Sequence, residues 1–231
     1  MYNVYVTVIT YDEIILMNTT IQDKITKFFS GKPLHKVEKN TILTFAGEEP
    51  AGVKFLVSGT VEQYHITPAG NKVTVNVFKP PAFFPMSWAM NHTPNSYFFA
   101  ALTDAEYHQV SAAESVKFLE ENPDVALNLL ARVYRGTDAL LRRLVLAASG
   151  FATGRLIHEL IIEAYRFGEP VDTNHISISL QQDTLASRSG LARETVSREL
   201  RKLTSEGLVR PKKGKLILNI KKLEEKLNLD I

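Results

Sequence analysis

A chain of 231 residues has room for one large domain or two modest ones, and its 45% hydrophobic content is that of an ordinary globular protein. It has no cysteine, which excludes disulfides, thiolate metal sites and cysteine-bound iron–sulfur clusters and suits a reducing cytoplasm. The net charge of +2 hides an asymmetry: between Arg188 and Lys222 there are eleven bases and three acids, so the remainder is net acidic. Such a footprint is expected of a domain that meets phosphate.

Residues 1–20, MYNVYVTVITYDEIILMNTT, lack a basic n-region and a continuous apolar core, so they do not read as a secretory signal. They read either as an added edge strand or as sequence ahead of a start at Met17. No apolar run approaches the roughly 18 residues of a membrane span.

Residues 21–121 carry short β segments broken by turn residues. Lys54–Val57 runs into Ser58-Gly59, and Thr60–Tyr64 follows. Pro68-Ala69-Gly70-Asn71 is a turn signal ahead of Lys72–Phe78. In that last run Val73, Val75 and Val77 form an apolar face and Lys72, Thr74 and Asn76 a polar one. Closely spaced strands of this kind predict a small antiparallel β-roll.

Residues 122–149 predict one long helix, with Asn122 as N-cap and Pro123 at its first position. Leu129, Val133, Leu140, Leu144 and Ala147 recur near heptad spacing, the pattern of a two-helix dimer seam. Ser149-Gly150 breaks the helix. Residues 150–231 then begin with an amphipathic helix, Ala152 to Phe167, whose inward face is Leu156, Leu160, Ile161 and Ala164.

A short strand over His175–Ser179 precedes two helices at helix-turn-helix spacing. Leu185 and Ala186 face inward on the first. Gly190 supplies a left-handed residue at its end, and Leu191 plugs the turn. On the second, Val196, Leu200 and Leu203 form the buried stripe, while Arg193, Glu194, Ser197 and Arg198 project together on the other face.

Those four residue types suit the major groove. Arg198 can donate both arms to guanine O6 and N7, and Glu194 can accept from cytosine N4. Ser197 is small enough for close approach, and Arg193 can reach a base or a phosphate. Arg188, Lys212, Lys213 and Lys215 are the expected phosphate contacts, the last three on a basic turn between two short strands that reads as a wing. The competing reading of the helix is a solvated face with an internal Glu194–Arg198 pair. Ala192 is a poor N-cap for it, an omission that a DNA phosphate can make good.

The motifs Arg193-Glu194-Thr195-Val196-Ser197-Arg198, Thr153-Gly154-Arg155-Leu156 and Phe55-Leu56-Val57-Ser58-Gly59-Thr60-Val61 resemble those of the Crp/Fnr family. The resemblance runs from about Thr20 onward. It implies an α+β fold: an N-terminal antiparallel, cyclic-nucleotide-binding-like β-roll, a long dimerisation helix and a C-terminal winged helix-turn-helix. It also implies a homodimer on double-stranded promoter DNA, a half-site with a GA core such as TGTGA or TTGAT, and contact with RNA polymerase.

The family's effector site does not carry over. Its Gly-Glu and Arg-Ser pairs have no match in Phe78–Trp88 and Asn95–Phe98, where Asn95 stands in the arginine's place, so a buried cyclic phosphate lacks its charged partner. Leu140 and Leu141 stand where the family hydrogen-bonds the base. These departures argue against cyclic AMP and leave the effector unknown. The aromatic content of the segment has two readings: an apolar pocket of Phe83, Phe84, Trp88, Tyr97, Phe98 and Leu140 for another ligand, or rings that fill the roll. The six histidines show no metal-ligand spacing, and no cofactor is expected. No catalytic motif appears either, so an enzyme is not predicted. The remaining alternative is a sensor that acts through protein partners, its winged helix serving as a docking domain.

Overall fold

The computed structural model describes residues 19–229; the expected edge strand within residues 1–20 falls almost wholly outside them. Two compact units divide the chain, one ending at Arg132 and the other beginning at Val133. Among the described residues no helix is long and apolar enough to cross a membrane.

The first unit opens with helix α1 (Thr19–Phe29) and continues through β1 (Leu34–Val37), β2 (Ile42–Thr44), β3 (Val53–Ser58), β4 (Val61–Ile66), β5 (Lys72–Phe78) and β6 (Ala82–Phe84). Helix α2 (Met86–Asn91), β7 (Phe98–Ala101), β8 (Ala105–Val110) and α3 (Ala112–Glu121) complete it, with the start of α4 (Pro123–Ala148). The strands form two antiparallel sheets, ordered β1-β8-β3-β6 and β2-β7-β4-β5, the two layers of the predicted roll.

Strand alternation explains the packing. On β3, Val53 and Phe55 face a cluster with Ile25 and Phe29 of α1 and Phe118 of α3, while Leu56 joins Val61, Phe84 and Phe99 in another. A strand buried on both faces reads as a near-continuous apolar run, and Lys54 is its exception. Lys54 is only 2% exposed, and its amine reaches Thr44 Oγ1 at 3.4 Å. Burial lowers its pKa to about 8. Gly59 makes the β3–β4 turn at φ +81°, where a Cβ would stand 2.2 Å from the Asp104 carbonyl oxygen.

One alternation differs from expectation. Val73 is 36% exposed and Thr74 only 4%, because a bulge at Val75 on β5, opposite Gln63 and Tyr64 of β4, shifts the pairing from Asn76 to Thr74. Thr74 turns inward and donates to the buried Glu62 at 2.6 Å.

The second unit holds the rest of α4, then α5 (Ala152–Phe167), β9 (Glu169–Pro170), β10 (His175–Ile178), α6 (Gln182–Ser189), α7 (Arg193–Ser205), β11 (Val209–Lys212), β12 (Lys215–Asn219) and α8 (Ile220–Leu229). Its sheet runs β11-β12-β10-β9. Leu156, Leu160, Ile161 and Ala164 of α5 are buried with Leu185, Val196, Leu200, Leu203 and Leu218 in one core. Gly150, at φ +67°, separates α4 from α5 at the predicted break.

Of the five expected seam positions on α4, Val133, Leu140, Leu144 and Ala147 are exposed and Leu129 is not. Leu129 packs against its own unit's core, whereas Leu127, Leu130, Tyr134, Leu141 and Leu144 are between 47% and 66% exposed. Those five follow 3-4 spacing, with Thr137 at the one intervening position. Val133, Leu140 and Val145 widen the exposed face. Asn122 also departs from its predicted role, since its Nδ2 donates back to the Phe118 carbonyl of α3.

Candidate nucleic-acid interface

Gly190 ends α6 at φ +63°, φ/ψ that a residue with a Cβ adopts only at a cost, and its own Cβ would meet Arg155 Nη2 at 2.7 Å. Arg155 of α5 donates to the Ser189 carbonyl at 2.6 and 3.0 Å and to the Gly190 carbonyl at 2.6 Å. The guanidinium thus satisfies the last carbonyls of α6 and sets the turn that aims α7. Val196 and Leu203 are fully buried beneath it, Leu200 nearly so.

With that stripe pointing inward, Arg193, Glu194 and Arg198 are exposed and Ser197 half-buried on the outer side. The four predicted base readers therefore share the accessible side of α7. Two of them already have carboxylate partners. Arg193 Nε lies 3.2 Å from Asp183 of α6, and Arg198 Nε lies 3.4 Å from Glu199. Arg198 thus pairs with its neighbour in sequence, not through the internal Glu194 pair. Ser197 Oγ accepts from Arg201 at 3.1 Å.

The wing adds cations at the same side. β11 and β12 are joined through Lys213 (φ +47°) and Gly214 (φ +77°), and Lys212, Lys213 and Lys215 are all exposed. Lys215 meets Glu169 at 2.7 Å, an exposed pair that water and salt weaken. Between wing and helices runs a groove of about 780 Å³, lined by Gln182, Asp183, Arg193, Lys212, Lys213 and Lys215. Neither Gln181 nor Ala192 caps its helix with a side chain, so the first-turn N–H groups of α6 and α7 stay available to an anion.

Arg188 does not join this surface, and its assignment as a phosphate contact is corrected. Its side chain is 8% exposed, ion-paired with Glu163 of α5 (6% exposed) and set 5.8 Å from the Phe167 ring. At its place on α6 the helix turns it toward α5, where a buried carboxylate needs a cation.

The predicted aromatic pocket is not assembled either. Phe83 lies beside Phe29 and Phe55, whereas Phe84 stacks on Phe78 and Phe99 in the other cluster. Phe98 stacks on Tyr64, Tyr97 is an exposed edge partner of His65, and Trp88 packs against the α1–α3 cluster. Leu140 belongs to the other unit and is exposed. Neighbours on a strand point to opposite faces, so adjacent rings such as Phe83 and Phe84 are sent apart. Phe84 fills the roll, and the other rings are spread over separate faces. Asn95 is buried and wholly occupied by its own loops. Its Nδ2 donates to the Phe45 and Tyr97 carbonyls at 2.8 Å, and its Oδ1 accepts from Tyr97 N–H.

The positions that sequence reasoning passed over are Asp183, Glu163, Glu199 and Arg155. Glu199 had a visible signal, because it falls three residues after Val196, within the apolar stripe, where an acid requires a partner.

Comparison with known proteins agrees with this architecture. Residues 34–122 match the cyclic nucleotide-binding domain, and residues 154–226 match the Crp-like helix-turn-helix domain. The chain is 23% identical to the cAMP-activated global transcriptional regulator CRP of Pasteurella multocida, over 84% of this chain and 94% of that one. It is 26% identical to a probable transcriptional regulator, flp, of Lacticaseibacillus casei, over 82% and 85%. A solved structure of a CRP/FNR-family transcriptional regulator of Thermus thermophilus superimposes with a TM-score of 0.70 at 20% identity, covering 85% of this chain and 98% of that one.

Proposed function

Because the chain belongs to the Crp/Fnr family of transcriptional regulators, with a helix-turn-helix DNA-binding domain and no enzymatic role, we propose that it acts as a cytoplasmic homodimer on an inverted-repeat promoter site and is not switched by cyclic AMP. The observation that carries this reading is the outer face of α7 shared by Arg193, Glu194, Ser197 and Arg198, of which Arg193 lines one groove with the wing lysines. Arg198 reads a guanine, Glu194 a cytosine, and Lys212, Lys213 and Lys215 follow phosphates.

The 3-4 stripe on α4 supports the dimer. Five large apolar side chains in heptad phase are costly in water and match a second copy of the same helix. Two recognition helices then enter successive major grooves about 34 Å apart. RNA polymerase is the downstream partner expected of the family. Against cyclic AMP stand Asn95, a neutral amide already spent on loop carbonyls, and Leu140 and Leu141, which offer no hydrogen bond to a base.

The test is selection from random duplex DNA by the purified protein without added ligand, followed by Arg198→Ala on the recovered site. The expected result is an inverted repeat with a GA core, and a loss of roughly 1–3 kcal/mol of discrimination at one guanine in Arg198→Ala. Equal weakening on every sequence would refute the role of Arg198. No DNA binding even at low salt would replace the whole reading with a protein-docking role for the winged helix.

A further inference from the structure

Glu199 sits on the inward side of α7, with its side chain 11% exposed among Val196, Leu200 and Leu203. A carboxylate there is costly unless both oxygens are used. Thr153, itself 5% exposed in the first turn of α5, donates its hydroxyl to Glu199 Oε2 at 2.7 Å. The other oxygen, Oε1, accepts from Arg198 Nε at 3.4 Å.

We propose that Glu199 is a positioning residue for DNA recognition, holding the Arg198 guanidinium by its Nε edge so that the terminal fork is presented to the guanine. The inference rests on the reading of Arg198 as a base contact. A guanidinium has five donors, and a bidentate guanine contact needs only the two terminal amino groups. Docking the carboxylate at Nε leaves those two free. Arginine loses much rotamer freedom when it is fixed, and fixing it before DNA arrives lowers that cost at the moment of binding.

Thr153 completes the device. Its hydroxyl anchors the carboxylate in one orientation, and it lies three residues beyond Gly150, where α4 gives way to α5 at φ +67°. The base-reading arginine is therefore tied, through one carboxylate, to the first turn after that break. A displacement of the turn changes where Arg198 points without altering any residue that touches DNA.

The test measures binding of the full-length protein to the selected duplex, to the same duplex with the Arg198-dependent guanine replaced, and to unrelated DNA at low salt. Glu199→Gln and Thr153→Val are compared with wild type, with Thr153→Ser as the conservative control and thermal melts to establish folding. Glu199→Gln is expected to lose about fivefold of the discrimination at that one base pair while keeping low-salt affinity for unrelated DNA. Thr153→Val shifts in the same direction, Thr153→Ser behaves as wild type, and Glu199→Gln adds nothing in an Arg198→Ala background. Unchanged discrimination in Glu199→Gln and Thr153→Val, beside a clear loss in Arg198→Ala, would overturn the positioning role alone. If Arg198→Ala itself keeps full discrimination, the base assignment fails first and this inference with it. A uniform loss on all sequences, or a Thr153→Ser that behaves as Thr153→Val, would mark Glu199 as a structural group only.

Discussion

Replacing Arg188 by Ala separates two roles that its position in a basic stretch would otherwise confuse. The side chains of Arg188 and Glu163 are 8% and 6% exposed, so removing the cation leaves a carboxylate buried without its partner. Breaking a buried pair in this way costs about 3–5 kcal/mol, far beyond the value of a surface pair. In a unit of about a hundred residues each kcal/mol lowers the melting temperature by roughly 4–8 °C, so the variant should melt on the order of 20 °C below wild type. The assay is a far-UV circular-dichroism melt, alongside the salt dependence of DNA binding measured well below the transition. The double variant Arg188→Met with Glu163→Met removes both charges and should recover most of the loss. A variant that melts with wild type, and whose plot of log K against log salt flattens by about one per protomer, would return Arg188 to the phosphate contacts.

Other expectations follow from particular side chains. The triple change of Lys212, Lys213 and Lys215 to Ala should reduce the salt slope by about three per protomer while leaving the preferred sequence unchanged; an altered preference would mean that the wing reads bases. Leu130→Glu with Leu141→Glu places two charges in the α4 stripe and should convert a dimer to a monomer in sedimentation, with affinity for the inverted repeat falling to that of a half-site. A double variant that sediments as a dimer would move the interface elsewhere. Lys54→Met should stabilise the first unit at pH 7 by about 3 kcal/mol, the cost implied by lowering the amine from its ordinary value of 10.5 to about 8. The sign follows from proton binding: between pH 8 and 10.5 the unfolded chain holds a proton that the folded chain has released, so wild-type stability rises across that window. Below pH 8 the cost is fully present, so urea unfolding should show the advantage of Lys54→Met shrinking from pH 8 to 10.5. A constant difference would contradict the buried-charge account.

Periodicity carried most of the architecture because it reports faces that one helix or one strand must bury. Leu156, Leu160, Ile161 and Ala164 mark α5, Val196, Leu200 and Leu203 mark α7, and all seven lie in the same core. The turn at Gly190 and the wing at Lys213-Gly214 were equally legible, since few residues adopt those backbone angles. The outward set Arg193, Glu194, Ser197 and Arg198 followed at once, being what the stripe leaves over. Charge counting was weaker, because Arg188 and Lys215 contribute the same charge to a basic run whether they face α5 or solvent.

The amino-acid sequence by itself determined the long helix α4, the helix-turn-helix and the side of α7 that meets solvent, because each depends on residues within a turn or two of one another, whereas α1, α2, α3 and α8 went unmarked. Only the tertiary structure decided which partner each polar group takes. Arg188 went to Glu163 across 25 residues, Glu199 to Thr153 across 46, and the β5 bulge turned Thr74 rather than Val73 inward. It also took Leu129 out of the exposed α4 face, since that side chain is claimed by a core that local spacing does not reveal. Pairing across such distances depends on which elements pack together, and a buried charge takes whatever counter-charge that packing brings within reach.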